Sequence, residues 1–308
     1  MQRSNPRLGY AFAVLNMLIS GVAIYVNSLG VRLFSDSTLY TFLKNAIVGV
    51  ALIIPVLVSR ERRREYTRLK RREWVLLVLV SFIGGSVAYA LFFYGLKITT
   101  PVTAAVIGHT QFLLVGVLAA IFLGERFGSG VWAALVVLLI GLLVGIRLDT
   151  VKWDAGAPFV VASTALFATD FVLMKYLLRS VSSFVVMAFK MTLGAVFLLV
   201  YVAATGHLAL FAQLSTLQWG FVTVTGLILL AFTVTSIFGL QHASATAVTA
   251  IPAASPIVTT LLVVVSRSAT IAPIKWLGFA FMLLAVLAIF ILGRRQEMRR
   301  ATHADNPR

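Results

Sequence analysis

Long apolar stretches separated by short polar gaps run through most of the chain. A helix of about 20 apolar residues spans a bilayer core of about 30 Å. The pattern predicts an all-α polytopic membrane protein whose gaps are short enough to make consecutive helices antiparallel neighbours. The ten predicted transmembrane helices are residues 8–31, 37–59, 74–97, 101–124, 130–147, 156–179, 183–204, 217–241, 245–266 and 272–293.

The composition agrees with this pattern and narrows the chemistry. Hydrophobic residues make up 60% of the chain and the mean hydropathy is +0.99, whereas about 45–50% apolar residues is usual in soluble domains. The absence of cysteine excludes disulfides and thiolate metal sites. There is no phosphate-binding loop or His-Glu-x-x-His motif, and the histidines are scattered. We therefore expect no enzyme, no cofactor and no metal site.

The basic residues predict the orientation. Of the 26 Lys and Arg residues, 17 fall at the termini and in the gaps on the same side as the termini, and 6 fall on the other side. The positive-inside rule then places both termini in the cytoplasm of a plasma (inner) membrane protein. The basic run 60–72 is interpreted as a cytoplasmic, partly helical loop. It is not taken as a nucleic-acid site, because Glu61 and Glu65 interrupt it and no aromatic stacking platform accompanies it.

The two halves of the chain repeat one another weakly at an offset near 145 residues. Phe42-Leu43-Lys44 corresponds to Ala188-Phe189-Lys190, and Tyr94-Gly95-Leu96 corresponds to Phe238-Gly239-Leu240. The halves are residues 1–150 and 151–308, the second ending in a short basic tail. Five spans per half is an odd number, so the second half must be inverted relative to the first. Inverted repeats are typical of secondary transporters.

These features resemble the EamA-type branch of the drug/metabolite transporter superfamily over about residues 8–293. The local match is a small-residue start of the fourth span at Pro101, its Leu123-Gly124-Glu125 ending, and Pro256 within the ninth span. Phe112 stands where the family often has proline in the first half, so a substrate cannot be assigned by analogy. The resemblance implies a transporter, with export of small organic metabolites such as amino acids as the expectation.

Charged residues inside spans are costly and need a partner or a function. Asp170 is either a proton or substrate-amine site or half of a structural ion pair. We predict that it pairs with Lys190, because the two lie at similar depth in the hairpin of spans 6 and 7. Lys44 and Lys190 either anchor helix ends or bind an anionic substrate group. Lys175 is expected to snorkel toward the cytoplasmic surface.

Uncharged polar groups suggest a cavity between the halves, formed by spans 1, 3, 4, 6, 8 and 9. His109 and Gln111 are candidates for its wall, although a spacing of two residues keeps both from facing it squarely. Ser255 is placed there because Pro256 removes a backbone donor in mid-helix. Asn16 is a further candidate, and its alternative role, shared with Asn45, is an interhelical hydrogen bond.

The function predicted from these residues is a secondary transporter, whose partners are membrane lipid and a small-molecule substrate and not nucleic acid. Two alternatives are a multipass membrane enzyme acting on a lipid-linked substrate and a membrane scaffold or channel that performs no active transport. The spacing of Gly141 and Gly145 is typical of close helix packing, either within the chain or between two copies in a homo-oligomer.

Overall fold

The fold is a bundle of helices, described by a computed structural model over residues 5–146, 153–267 and 271–297. Regular structure in these ranges is entirely helical, which confirms the all-α prediction. Short 3₁₀ or π-helical turns link or interrupt several of the helices. The α-helices are α1 (Pro6–Gly30), α2 (Ser37–Val58), α3 (Arg60–Thr67), α4 (Arg71–Phe82), α5 (Ala88–Ile98), α6 (Pro101–His109), α7 (Gln111–Leu118), α8 (Ser129–Ile146), α9 (Ala157–Leu177), α10 (Ser183–Ala204), α11 (Thr216–His242), α12 (Ala245–Ala250), α13 (Pro256–Arg267) and α14 (Pro273–Ala288).

Nine helical segments in the described ranges are long and apolar enough to cross a membrane, and the apolar helix over Ser129–Gly145 is shorter. Each predicted stretch coincides with one of these segments, with ends that differ by a few residues. The prediction of a multipass membrane protein is confirmed. The exact number of crossings stays a prediction.

Side chains that cap the N-terminus determine where several helices begin. The Asp36 carboxylate accepts hydrogen bonds from the backbone N–H groups of Thr38 at 2.6 Å and Leu39 at 2.8 Å, so α2 begins directly after it. Ser215 and Gln218 form a reciprocal capping box at the start of α11. Each cap satisfies backbone donors that lack a partner within the helix.

The outer surface has the character of a lipid-facing surface. Large apolar side chains are exposed along the helices, including Val265 at 84% and Leu284 at 60%. All five tryptophans are at least partly exposed and lie at or just before the first turn of a helix, as in the aromatic belts of membrane proteins. They are Trp74, Trp132, Trp153, Trp219 and Trp276.

The helices of the two halves interlock. Helix α2 packs on α10 and α8 packs on α14, which are corresponding helices in the repeat. Helix α1 packs on α11, and its counterpart α9 packs on α5. At the α8–α14 contact, a Cβ added to Gly278 would lie 2.4 Å from the backbone nitrogen of Gly145. Gly141 and Gly145 therefore serve close packing between two helices of the same chain.

Both described ends of the chain lie at one end of the bundle, which we call the terminal end. The Tyr10 hydroxyl donates to the Glu297 carboxylate at 3.1 Å. The basic segment 60–72 is also at this end and is helical from Arg60 to Thr67, as predicted. It packs on the start of α10, where the Arg62 guanidinium lies 3.7 Å from the centre of the Phe184 ring.

The ninth predicted span is interrupted one turn earlier than the sequence suggested. A 3₁₀ turn over Ile251–Ala254 contains Pro252, and α13 begins at Pro256. Proline is tolerated at the first position of a helix, where its missing N–H would have no helical partner. The break in the middle of this span therefore belongs to Pro252, and Pro256 starts the helix that follows.

Candidate functional site

A cavity of about 360 Å³ lies between the two halves. This is within the range of sites for small organic ligands, about 300–1,000 Å³. Its polar lining consists of Asn16, Ser20, Asn27, Ser28, Lys44, His109, Gln111, Thr164, Asp170, Lys190, Thr225, Thr233, Ser236 and Thr249. Its aromatic lining consists of Tyr89, Phe92, Phe93, Phe167, Phe171 and Phe232.

The cavity is placed asymmetrically along the bundle. Away from the terminal end it reaches the last turns of α1 and α5, at Ser28 and Leu96. Toward the terminal end the side chains of Phe112, Leu177 and Leu240 are almost completely buried and pack as part of the apolar core. The cavity therefore extends to the opposite end of the bundle and is closed at the terminal end.

Asp170 and Lys190 form a buried ion pair on the cavity wall, as predicted from the hairpin. The Lys190 ammonium donates to Asp170 Oδ2 at 2.5 Å and also lies 3.5 Å from the sulfur of Met174. Asp170 is 0% exposed and Lys190 is 7% exposed. Asp170 Oδ1 is buried and has no hydrogen-bond partner, so the carboxylate is only partly satisfied.

A π-helical turn over Ile83–Val87 makes room for this pair. A Cβ on Gly84 would lie 2.0 Å from the carboxyl carbon of Asp170, so only glycine leaves space for the carboxylate here. A Cβ on Gly85 would lie 2.8 Å from the carbonyl oxygen of Lys190. The Gly85 carbonyl accepts a hydrogen bond from Asn45 Nδ2 at 3.0 Å, which is the interhelical role foreseen for Asn45.

Lys44, the counterpart of Lys190 in the first half, has different partners. Its ammonium donates to Asn27 Oδ1 at 2.7 Å and lies 4.5 Å from the ring centre of Tyr40 and 4.8 Å from that of Phe93. Lys44 is 4% exposed and lines the cavity. Its ammonium contacts the last turn of α1 and borders the cavity, so both interpretations, an anchor near the helix end and a ligand contact, stay predictions.

His109 and Gln111 both line the cavity, although their spacing argued against it. Helix α6 ends at His109 and α7 begins at Gln111. At Thr110, between them, the backbone tightens, since the N–H of Thr110 donates to the carbonyl of Ile107 three residues earlier, at 3.1 Å. A 3₁₀-type turn advances about 120° per residue instead of about 100°, so a turn at Thr110 brings the two side chains closer in angle than the roughly 160° of a regular helix. Gln111 Nε2 has no hydrogen-bond partner.

Asn16 borders the cavity but serves to join helices. Its Nδ2 donates to the carbonyl of Phe232 at 3.0 Å and to the hydroxyls of Thr235 and Ser236 at 2.8 and 2.9 Å. All of these acceptors belong to α11, so the alternative role of Asn16, an interhelical hydrogen bond, is confirmed.

Ser255 is absent from the cavity wall, which corrects its predicted place. It is 0% exposed and its hydroxyl has no hydrogen-bond partner. A Cβ on Gly21 would lie 2.8 Å from the Ser255 carbonyl oxygen, so Ser255 packs against α1. The interruption at Pro252 is the reason, because it brings Pro252 and Ala253 to the cavity instead.

No group of three or more His, Cys, Asp or Glu side chains placed to hold a metal occurs in the described ranges. The charged residues of the cavity wall are Lys44 on α2, Asp170 on α9 and Lys190 on α10.

The model of the EamA-like transporter family matches residues 7–146 and again residues 154–291. The chain belongs to this family. No curated protein matches the chain. One chain in a solved crystal structure of a protein is 20% identical, with a TM-score of 0.70, and the match covers 92% of this chain and 98% of that chain. At this identity the likeness shows the fold alone.

In this member of the EamA-like transporter family, hydrogen bonds show what the Leu-Gly-Glu ending of the fourth span does. Glu125 accepts a hydrogen bond from the backbone N–H of Ala245 at 2.7 Å and from the hydroxyl of Thr246 at 2.9 Å. It thereby caps α12, and a carboxylate is favourable at a helix N-terminus. Glu297 accepts from the N–H of Ser244 at 3.2 Å. Both acids are at the closed end of the cavity.

Lys175 also contributes contacts at the terminal end, where the cavity is closed. Its ammonium donates to the carbonyls of Leu240 and Ala243 at 2.6 Å each, at the end of α11. The ammonium thus lies at the terminal end, where the unpaired carbonyls of a neighbouring helix end are within its reach, and snorkelling of Lys175 to the surface stays a prediction. The single sequence did not reveal this contact, since it depends on how α9 and α11 pack.

A cysteine scan tests the boundary of the cavity. The parent chain lacks cysteine, so Ser20→Cys and Ser255→Cys each carry one thiol. Ser20 lines the cavity and Ser255 is buried against α1. We expect a small polar methanethiosulfonate reagent to label the purified Ser20→Cys protein and to leave Ser255→Cys unlabelled, as followed by mass spectrometry. Equal labelling of the two variants would contradict this boundary.

Proposed function

We propose that this chain is a secondary transporter that moves a small organic metabolite through the central cavity by alternating access. The observation that carries the proposal is the cavity itself. It lies between two halves that match the same transporter family, contains buried charged side chains, and is closed at the terminal end. A site that opens to alternate sides needs such a cavity at the interface of two repeats.

The glycine contacts support an inverted relation between the halves. Gly9 of α1 lies against Ala243 after α11, and Gly156 before α9 lies against Thr99 after α5. Gly156 corresponds to Gly9, and Ala243 corresponds to Thr99, at offsets near 145. The same contact is therefore made twice, with the two halves exchanged. A two-fold relation produces this exchange. With five spans in each half and both chain ends on the same side, its axis would lie in the membrane plane.

The closure at the terminal end supports alternation between states. It combines an apolar core with two sets of hydrogen bonds: Glu125 accepts from the start of α12, and Lys175 donates to the end of α11. Such bonds reform readily with water when the helices separate, so their loss costs little. We propose that the α11–α12 junction moves away from Glu125 and Lys175 when the cavity opens toward the terminal end.

The binding and coupling roles fall to residues that line the cavity. We propose Asp170, Lys190, Lys44, His109 and Gln111 as contacts of the substrate or of a coupling ion, with Asn16 holding the wall in place. Ser255 has no part in the proposal. Amino acids and related amphiphilic compounds are the proposed substrate class, because charged groups and aromatic side chains share the wall. We propose export from the cytoplasm across the plasma (inner) membrane, in keeping with the family resemblance, and the basic-residue count supports cytoplasmic termini.

Transport by the purified protein in liposomes tests the proposal. We expect uptake or release of at least one labelled metabolite from a panel of amino acids and organic acids, measured with and without a pH gradient. Ala105 lines the cavity, so Ala105→Phe is expected to remove most of this flux by filling the space. Ala133 is exposed on the outer surface, and Ala133→Phe is the matched control with flux near that of the parent.

The alternatives have distinct outcomes in the same assay. Equal flux in the Ala105→Phe and Ala133→Phe proteins would contradict transport through the cavity. Absence of flux for every solute of the panel, with the protein folded, would contradict the transporter and favour the scaffold. Flux that runs only down the concentration gradient of the solute, whatever ion gradient is applied, would favour a channel.

A further inference from the structure

We propose that the cavity has an anion subsite at Lys44 and that the transported substrate is a small organic monocarboxylate with an apolar body. This inference rests on the proposed transport function and names the class of its substrate. It is carried by a buried ammonium group on the cavity wall that has a neutral set of partners.

The surroundings of Lys44 hold the ammonium in place without neutralising it. Its hydrogen-bond acceptor is Asn27 Oδ1, which also accepts from the Tyr40 hydroxyl at 2.8 Å. Asn27 is itself oriented, since its Nδ2 donates to the carbonyl of Ala23 at 2.8 Å. The rings of Tyr40 and Phe93 add attraction for a cation at 4.5 and 4.8 Å.

Lys44 lacks a carboxylate partner among the residues that the structure describes. An ammonium group has three donors, and one is used by Asn27. Two donors therefore remain on a cation that is 4% exposed and borders a cavity. A buried charge is costly unless it is paired, and a ligand carboxylate would supply the missing partner.

The corresponding lysine of the second half has the counter-ion that Lys44 lacks. Lys190 occupies the corresponding place in the second half and is paired with Asp170 from α9. The corresponding helix of the first half, α1, offers the neutral Asn27. The second half therefore provides its own counter-ion, while the first half leaves that position to a bound anion.

The size of the charge favours a carboxylate over a phosphate. The described lining of the cavity contains two lysines, and one of them is already paired. One unpaired ammonium with one amide matches a monoanion, whereas a doubly charged phosphate would be left with excess charge in an otherwise largely apolar cavity.

The apolar body of the substrate has a place between the two lysines. Gly49 of α2 contacts Thr192 of α10, so Lys44 and Lys190 differ in depth by seven residues, or about 10 Å at helical rise. Phe92, Phe93 and Phe232 line the cavity that connects the two levels. A compact substrate whose carboxylate is bound at Lys44 would therefore not reach the Lys190 level, and its apolar body would extend along these rings.

Ligand binding to the purified protein tests the subsite without requiring transport. The probes are phenylacetate and hexanoate, their uncharged amides, and phenylphosphonate as a dianion. The readout is the thermal unfolding midpoint against probe concentration, up to about 10 mM, since a ligand that binds the folded state raises it. We expect both carboxylates to stabilise the protein and the amides to stabilise it much less.

The variants are Lys44→Gln, Lys44→Arg and the control Lys97→Gln. Lys97 is an exposed lysine of the same end of the bundle whose ammonium donates to the Ser35 carbonyl. We expect Lys44→Gln to weaken carboxylate binding by about 10- to 100-fold, as for loss of a charge-assisted hydrogen bond. Lys44→Arg should retain most of the affinity because it keeps the charge, and Lys97→Gln should bind like the parent.

Several outcomes would overturn the proposal. They are equal carboxylate affinity in Lys44→Gln and the parent, equal affinity for amides and carboxylates, tighter binding of phenylphosphonate, and no stabilisation of the parent by any carboxylate. If Lys44→Gln does not fold, the comparison of carboxylate with amide in the parent and in Lys44→Arg still decides. Binding through Lys44 without flux in liposomes would refute the transport function alone, and flux without any carboxylate preference would refute the subsite alone.

Discussion

Asp170→Asn is expected to lower the free energy of unfolding by about 3–5 kcal/mol, the usual cost of removing one partner of a buried ion pair. The amide is nearly the same size as the carboxylate, so packing is preserved and the charge of Lys190 is left unpaired. Lys190 is 7% exposed, and its other polar contact is the sulfur of Met174 at 3.5 Å. A thioether is only a weak hydrogen-bond acceptor, so it does not replace the carboxylate.

The double variant Asp170→Asn with Lys190→Met separates the ion pair from packing. If the two residues act as a pair, the double variant should recover most of the stability lost in either single variant. Thr169→Val is the matched control on the same helix, since its hydroxyl bonds only to the Ala165 carbonyl one turn away, and its effect should stay within about 0.5 kcal/mol. Unfolding by denaturant in detergent micelles provides the measurement.

Additive losses in that cycle would contradict the pairing. If the double variant is destabilised by the sum of the two single effects, Asp170 and Lys190 do not stabilise one another. Asp170 would then be a stronger candidate for direct contact with the substrate or with a proton.

Gly84→Ala is expected to destabilise the protein by about 3 kcal/mol or more, an unusually large effect for the addition of one methyl group. The new Cβ would lie 2.0 Å from the Asp170 carboxyl carbon and 2.2 and 2.3 Å from its oxygens. Overpacking alone costs about 1–3 kcal/mol, and displacement of the carboxylate would also disrupt its bond to Lys190.

A second glycine in a helix provides the control. Gly220 of α11 has nothing within 4 Å of an added Cβ, so Gly220→Ala should be neutral or stabilising by up to about 1 kcal/mol. In a background with Asp170→Ala and Lys190→Met, the space beside Gly84 is empty and Gly84→Ala should become nearly neutral. A large loss in that background as well would show that the π-helical turn itself, and not the carboxylate, requires glycine.

The features predicted from sequence are those set by local or one-dimensional physics. Spans follow from the length of apolar runs, because a bilayer core has a fixed thickness and an unpaired backbone group cannot remain in it. The pair of Asp170 and Lys190 followed from counting residues on either side of a tight hairpin. Neighbouring antiparallel helices leave little freedom in depth, so this count was sufficient.

Other site residues depended on small departures from helical geometry. His109 and Gln111 share a cavity because one tightened turn at Thr110 changes their angular separation. The ninth span breaks at Pro252, which leaves Ser255 buried against α1. Such turns depend on the packing of neighbouring helices, so a regular helix drawn from the sequence misplaces the side chains that follow.

Sequence alone thus determined the membrane class, the apolar spans, the weak repeat and the buried hairpin ion pair, because each depends on composition or on spacing along the chain. Tertiary structure decided which polar residues meet between the halves. It placed Asn27 beside Lys44 and Lys175 at the end of α11. These contacts join residues that are distant or on different helices, and the docking of whole helices brings them within hydrogen-bond distance.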